Sequence, residues 1–327
     1  MNGNFNPTAF QVVVSPEQLS SVIRSANFEP CQLSVKPLPS RLARLTGSYS
    51  CLDFAEMGPA MLFTGVMPVD CYTLVFVTQC PVKGHSFNFA AEHLDGYMGF
   101  FPPGGLLDAY TPQGYANATL TVPVEQFHQA VERLFPEIPD TLLKRGAGMR
   151  IGAVEQQRLR LLLSAALEGI QDPAGPFADD RVRREMEQML LESFVGALRS
   201  GVGGLVPPPN SRVAGRLKRL REAREFIRAS AQGPIRLEDV SEALGMSARG
   251  IEVLFRGSLG VGPTAYIRHQ RLHGVRRALL TARPGPGVIK ETAMRWGFWH
   301  MGHFSKNYRQ LFGESPMETL VAGTFRG

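Results

Sequence analysis

Two stretches of the chain decide how it is read: IRLEDVSEALGMSARGIEVLFRGSLGVGP (Ile235–Pro263) and VIKETAMRWGFWHMGHFSKNYRQLFGESP (Val288–Pro316). They are copies of one pattern. Leu237, Val240, Ser241, Leu244 and Gly245 match Ile289, Thr292, Ala293, Trp296 and Gly297 at an offset of 52 residues. Beyond the glycine, Ile251, Phe255, Arg256, Leu259, Gly260 and Pro263 match Phe304, Tyr308, Arg309, Phe312, Gly313 and Pro316 at an offset of 53, so one residue has entered the turn. Apolar, glycine and proline positions that stay in step mark one supersecondary unit used twice.

Each copy has the grammar of a helix-turn-helix. A short helix carries a small residue, Ser241 or Ala293, four places before a glycine, which lets a second helix cross closely. Gly245 or Gly297 can take positive φ where the first helix stops. Ser247 is a natural N-cap for the second helix of copy one. In that helix Ile251, Leu254, Phe255 and Leu259 face inward; in copy two Phe304, Tyr308, Leu311 and Phe312 do so. The opposite faces carry Arg249, Glu252 and Arg256, and then His300, His303, Lys306 and Arg309. Trp296 stands where copy one has Leu244 and reads as core. Trp299 falls in the inserted turn. His300 and His303, three residues apart beside basic groups, read as surface residues, and no metal site is expected.

Between the copies, PTAYIRHQRLHGVRRALLTA (Pro263–Ala282) reads as one connecting helix that starts at a proline. Some 18 helical residues span roughly 27 Å, near the ~34 Å helical repeat of duplex DNA. Arg268, Arg271, Arg276 and Arg277 are candidate phosphate contacts, the alternative being a solvated helix face.

Charge follows the same division. Arg212–Gly327 holds 20 Lys and Arg against 9 Asp and Glu, a net +11, whereas Met1–Ser211 holds 15 against 20, a net −5; together they give the chain's +6. A basic third beside an acidic remainder suits a nucleic-acid module attached to something else, although charge alone also fits a surface tuned for solubility. The hydrophobic share of 44% and charged share of 20% fit a globular protein, and no run of apolar residues is long enough to span a membrane. The first residues, MNGNFNPTAFQVVVSPEQ, lack a basic segment before an apolar one, so no secretory signal is expected. Cys31, Cys51, Cys71 and Cys80 form no CxxC pair and read as free thiols of a reducing cytosol.

The N-terminal part reads as strands up to about residue 140. CYTLVFVTQ (Cys71–Gln79) is β-branched and aromatic, and GYMGFFPPGGLLDAYTPQGYANATLTVP (Gly96–Pro123) breaks short strands with Pro and Gly, as in a β-sandwich or small barrel. Its inner face is expected to include Phe76, Phe87, Phe89, Tyr97, Phe100 or Tyr110. Helical spacing follows at Leu159, Leu162, Leu163, Ala166 and Ile170. A second helix begins near Asp179 and Asp180, where the dipole favours negative charge. Its stripe of Val182, Met186, Met189, Leu190, Phe194 and Leu198 packs within its own domain or makes a dimer contact. SGVGGLVPPPNS (Ser200–Ser211) reads as a linker.

The doubled unit joined by one helix, with FRGSLGVGPTAYIRHQRL in the middle and GFWHMGHFSKNYRQLFGESP at the end, resembles the AraC/XylS family of bacterial transcription regulators. The resemblance is specific from Ile235 to near the C-terminus. AMRWGFWHMGHFSKNYRQLFGESPMETL and the preceding VRRALL are most similar to the ethanolamine-operon regulator branch. What this implies is a two-domain α+β chain. Residues 1–199 would form a ligand-sensing and dimerisation domain, a cupin-like β barrel or sandwich with trailing dimerisation helices over 150–199. Residues 200–211 would be the linker. Residues 212–327 would form an all-α domain with two helix-turn-helix units joined by a linker helix.

The resemblance also implies base contacts from the second helix of each unit: Arg249, Glu252 and Val253 in copy one, and Met301, Gly302, His303 and Lys306 in copy two. Ser247 and His300 stand at the starts of these helices, and Arg256 and Arg309 further along fit phosphate contacts. Val253 stands where relatives often have a polar or basic residue, and Gly302 offers no side chain. Glu252 either accepts from a cytosine N4 donor or sets the angle of Arg249 or Arg256. The implied partners are double-stranded DNA, a small-molecule effector of unknown identity, RNA polymerase for an activator, and a second copy in a homodimer. No cofactor, no membrane and no catalysis are implied, and the expected place is the cytoplasm with the nucleoid. Two rivals remain: an architectural DNA binder without ligand sensing, and a cupin-type enzyme fused to a DNA-binding tail. For the latter only His85, Glu92 and His93 lie near one another, and no GxSxG, HExxH, Walker or GxGxxG motif appears.

Overall fold

Prolines and glycines cut the segment from Tyr97 to Pro123 into three strands in the computed structural model: β9 (Tyr97–Phe101), β10 (Leu106–Thr111) and β11 (Ala116–Pro123). Each connection is a four-residue turn with glycine third. Gly104 (φ 69°) and Gly114 (φ 73°) hold positive φ, a backbone open to glycine without strain. The Gly105 N–H donates to the Pro102 carbonyl (2.9 Å) and the Tyr115 N–H to the Pro112 carbonyl (3.2 Å). The structure describes residues 11–13, 19, 27–35, 38–82, 84–86, 91–172, 175–202, 211–233 and 235–324.

The chain forms two units. The first comprises Met1–Pro30, Pro39–Gly58 and Phe63–Asn210; the second comprises Cys31–Leu38, Pro59–Leu62 and Ser211–Gly327. Earlier strands are β1 (Gln11–Val13), β2 (Asn27–Gln32), β3 (Ser40–Thr46), β4 (Cys51–Glu56), β5 (Met61–Val66), β6 (Cys71–Gln79), β7 (Gly84–Ser86) and β8 (Ala91–His93), and β12 (Ala147–Arg150) follows later. One sheet has the order β1-β3-β4-β11-β6-β9-β12 and the other β2-β5-β10-β7-β8. In the first unit, helices α1 (Val124–Leu134), α2 (Asp140–Arg145), α3 (Ala153–Gln171) and α4 (Asp180–Val202) accompany the strands.

Strand alternation gives the seven-stranded sheet two unlike faces. On one face Leu74 and Phe76 of β6, Met98 and Phe100 of β9 and Leu120 of β11 share a core with Phe127 of α1, Leu159 and Leu163 of α3, and Leu190, Phe194 and Leu198 of α4. Phe76 and Phe100, expected on the inner face, pack in this core beneath the helices. Phe87 and Phe89 lie outside the described residues.

The opposite face is mixed, with buried polar groups among Leu42, Val75, Val77 and Phe101. Arg44 makes two hydrogen bonds to Asp53 (2.6 and 2.8 Å), and Asp53 faces Thr119 on the next strand. Thr121 and Thr73 face each other across β11 and β6. Both are buried, and their hydroxyls have no hydrogen-bond partner among the described residues.

The stripe on α4 resolves inward. Met186, Leu190, Phe194 and Leu198 are buried in the unit's own core, while Met189 stays 40% exposed. The same helix supplies Glu187, whose carboxylate enters the β3–β4 turn. It accepts from the N–H groups of Ser48 (2.9 Å), Tyr49 (3.1 Å) and Ser50 (2.7 Å) and from the Ser50 hydroxyl (2.7 Å). The Asp179 carboxylate accepts from the Arg181 N–H (2.7 Å) at the start of α4. Residues 200–202 belong to α4, and Ser211 opens the next helix, so the ends of the expected linker are helical; residues 203–210 lie outside the described residues.

Apart from the two short segments Cys31–Leu38 and Pro59–Leu62, the second unit is helical: α5 (Ser211–Ser230), α6 (Leu237–Leu244), α7 (Ala248–Leu259), α8 (Pro263–Thr281), α9 (Val288–Arg295), α10 (Met301–Phe312) and α11 (Pro316–Thr324). No helix among the described residues is long and apolar enough to cross a membrane. All four cysteines are free thiols.

Candidate nucleic-acid interface

The repeat persists down to single hydrogen bonds. α6 ends at Gly245 (φ 60°) and α9 is followed by Gly297 (φ 80°). After the first glycine the Met246 N–H donates to the Ser241 carbonyl (3.0 Å); after the second the Phe298 N–H donates to the Ala293 carbonyl (3.0 Å). Both are the long bond of a helix stop that needs a left-handed residue. α7 then starts from Ser247, whose Oγ accepts from the Gly250 N–H (3.1 Å). α10 starts after His300, whose side chain makes no such bond. Both helices end on left-handed glycines, Gly260 and Gly313.

Each second helix buries one face and leaves the other open. Ile251, Leu254, Phe255 and Leu259 of α7 are buried, as are Phe304, Tyr308, Leu311 and Phe312 of α10. The exposed residues of α7 include Arg249, Val253 and Arg256. Glu252 is half-buried and forms an ion pair with Arg256 one turn on. On α10, His303, Lys306 and Arg309 are exposed, as is His300 before it; the His300 and His303 ring centroids lie 6.4 Å apart. Met301 is half-buried and packs against the core around Phe304, so it divides itself between core and surface. Lys306 and Arg309 line a groove of about 620 Å³ with Ile289, Ser305, Gln310 and Met317.

Trp296 packs beside the core as its alignment with Leu244 suggests, and α8 makes room for it at Gly274, where a Cβ would lie 2.3 Å from the indole. Any side chain there would have to displace the ring. Trp299 sits in the turn before α10 and is 69% exposed.

The connecting helix differs from its expected role. Of its four candidate phosphate contacts, two are structural. The Arg271 guanidinium donates to the carbonyls of Ala231 (3.2 Å), Gly233 (2.7 Å) and Ile235 (3.4 Å), tying α8 to the chain between α5 and α6. Arg276 is buried, pairs with Glu314 (2.8 Å) and lies over the Phe312 ring at 4.6 Å. Arg268 and Arg277 are exposed.

Sequence reasoning missed the two buried histidines of this helix. Burial pushes His269 down to about pH 3, helped by His273 and Arg268; it pushes His273 down to about 3 as well, with Arg277 and Arg276 adding to the shift against a hydrogen bond to the Gln32 carbonyl. The His273 Nε2 lies 3.2 Å from that carbonyl, and its ring meets Phe312 edge-on. The signal was available: His269, His273 and Arg276 fall among the apolar positions of α8, where a charged group survives only with a partner.

Residues 240–321 match the family model described as a helix-turn-helix domain. The probable thc operon regulatory protein of Rhodococcus erythropolis is 29% identical over 198 residues, which cover 61% of this chain and 58% of that protein. The XylDLEGF operon transcriptional activator 1 of Pseudomonas putida is 25% identical over 281 residues, 83% of this chain and 80% of that protein. A solved structure of a probable AraC family transcriptional regulator from Rhodopseudomonas palustris is 35% identical, covering 32% of this chain and 97% of that one with a TM-score of 0.30. Residues 240–321 carry a helix-turn-helix domain, and over much of its length the chain is similar to bacterial operon regulators.

Proposed function

We propose that the chain is an effector-responsive transcription activator that reads two adjacent DNA segments with one protomer. The pairs α6–α7 and α9–α10 are its two helix-turn-helix units, and α7 and α10 enter successive major-groove segments. The observation that carries this reading is the matched pair of second helices, each with a buried apolar face and an exposed face of cations and hydrogen-bonding side chains. The 19 residues of α8 give a connector of about 28 Å, close to one turn of duplex DNA.

Base contacts are assigned to Arg249 in copy one and to His303 and Lys306 in copy two. Met301 adds apolar contact. Ser247 and His300 lie at the helix starts, and Arg256 and Arg309 hold phosphates. The ion pair with Arg256 supports the reading of Glu252 as a positioning residue.

The first unit is the cupin-like sensor and dimerisation domain, and the buried polar groups Asp53, Thr73, Thr119 and Thr121 on one sheet face support a ligand-reading role. RNA polymerase is the partner of an activator. The likeness of Ala293–Leu320 to the ethanolamine-operon regulators supports the DNA-reading assignment of that segment and names no effector.

Lys306→Ala and, separately, His303→Ala are expected to weaken binding to the specific site by about 1–3 kcal/mol and to relax preference at particular bases. Binding curves on specific and random duplexes check this. An equal loss on both would reject base reading by these residues and leave them as phosphate contacts.

A further inference from the structure

The outward face of α7 carries Arg249, Val253 and Gly257 at intervals of four residues, one above another on the helix. Val253 is 65% exposed although the helix has an ample buried face for apolar side chains. A lone exposed valine is ordinary on a protein surface. Here the surroundings give it a role. Glu252 and Arg256, the charged residues beside it, are engaged with each other. Gly257 presents bare backbone with open space where a Cβ would stand, so a groove wall can approach closely.

Against the edges of base pairs, a guanidinium and an isopropyl group have different complements. The fork of Arg249 suits guanine O6 and N7. The feature of the major groove that an isopropyl group matches is the C5-methyl of thymine.

We propose that Val253 is a specificity-determining residue that reads thymine through its C5-methyl group. This rests on the assignment of α7 as a DNA-reading helix. Four residues advance about 6 Å along the helix, and base pairs stack at roughly 3.4 Å. The thymine therefore lies one or two base pairs from the guanine that Arg249 contacts. A polar or basic residue at this position would select for hydrogen-bonding edges; valine makes this unit select for a methyl group.

The test uses the full-length chain and its selected duplex, with each thymine replaced in turn by uracil, which removes the methyl group alone. One replacement is expected to weaken wild-type binding about fourfold, the effect of one methyl withdrawn from an apolar contact. Val253→Ala is expected to bind the thymine duplex more weakly and to lose nothing more on that replacement. The side chain is exposed, so the fold tolerates the change. The proposal is overturned if no thymine in the site responds to loss of its methyl group, or if wild type and Val253→Ala lose equally. Arg249→Ala separates the two levels. Weaker specific binding by Arg249→Ala beside an absent uracil effect rejects thymine reading alone, whereas unchanged binding rejects α7 as a reading helix and the proposal with it.

Discussion

Glu187→Ala is expected to lower the stability of the first unit by about 2–3 kcal/mol, because it removes the shared acceptor of the β3–β4 turn and leaves the buried Ser50 donors without it. Glu187 is 3% exposed, and its carboxylate receives three backbone N–H groups and one hydroxyl from Ser48, Tyr49 and Ser50. Hydrogen bonds to a charged acceptor contribute more than neutral ones, and the buried Ser50 donors, left behind, keep their full desolvation cost, whereas the exposed Ser48 and Tyr49 can turn to water. Gly47 adds to the specificity of the arrangement, since a Cβ there would lie 2.2 Å from a Glu187 carboxylate oxygen. Urea denaturation followed by circular dichroism checks the effect. Glu187→Gln is expected to recover little, because its amide offers one acceptor oxygen and turns two donors toward a cluster of donors. A loss below about 1 kcal/mol for the alanine variant would mean that the turn finds other acceptors, against the burial described above.

The second large effect is a response to pH in the second unit. His269 and His273 are buried as neutral rings, with folded values near 3 against an ordinary 6.5. A group whose folded value is depressed holds back a proton that the unfolded chain accepts. Stability is therefore full above about 6.5 and falls as the pH drops from there toward 3. Between pH 7.5 and 5.5 each histidine is expected to remove about 1.4 kcal/mol, and the pair close to 3 kcal/mol. Denaturation curves at the two pH values measure the difference. His273→Gln, which keeps a donor for the Gln32 carbonyl, is expected to remove about half of the dependence. A stability that stays level across this range would contradict the neutral buried rings.

What the amino-acid sequence made legible was local or repeated. The glycine stops, the Ser247 cap, the inward rows of α7 and α10 and the strand Cys71–Gln79 all follow from period and from φ, properties of a few neighbouring residues. The repeat strengthened them, because each position in one copy tests its mate in the other. What stayed hidden depends on partners far along the chain. Arg271 and Arg276 read as spare cations because their partners, the Ala231–Ile235 carbonyls and Glu314, lie 36 to 40 residues away. Glu187 gave no sign of its turn because the turn is 137 to 139 residues distant. Phe76 and Phe100 were legible as inward-facing, but not as lying under the helices, because alternation alone does not say which side of a sheet the helices cover. Within the candidate interface, the ion pair of Glu252 with Arg256 needed only a spacing of four, and that much was open to sequence reasoning.

The central claim is that one chain reads a bipartite DNA site. Selection of the full-length protein from a random duplex pool tests it most directly, followed by binding of the selected duplex and a scrambled control across a salt series. The expected result is an enriched site with two short motifs about one helical turn apart and a large preference for it over the scrambled duplex that persists as salt rises. Binding without enrichment, with the same affinity and the same steep salt dependence on both duplexes, would contradict sequence reading and leave contact with the phosphate backbone alone.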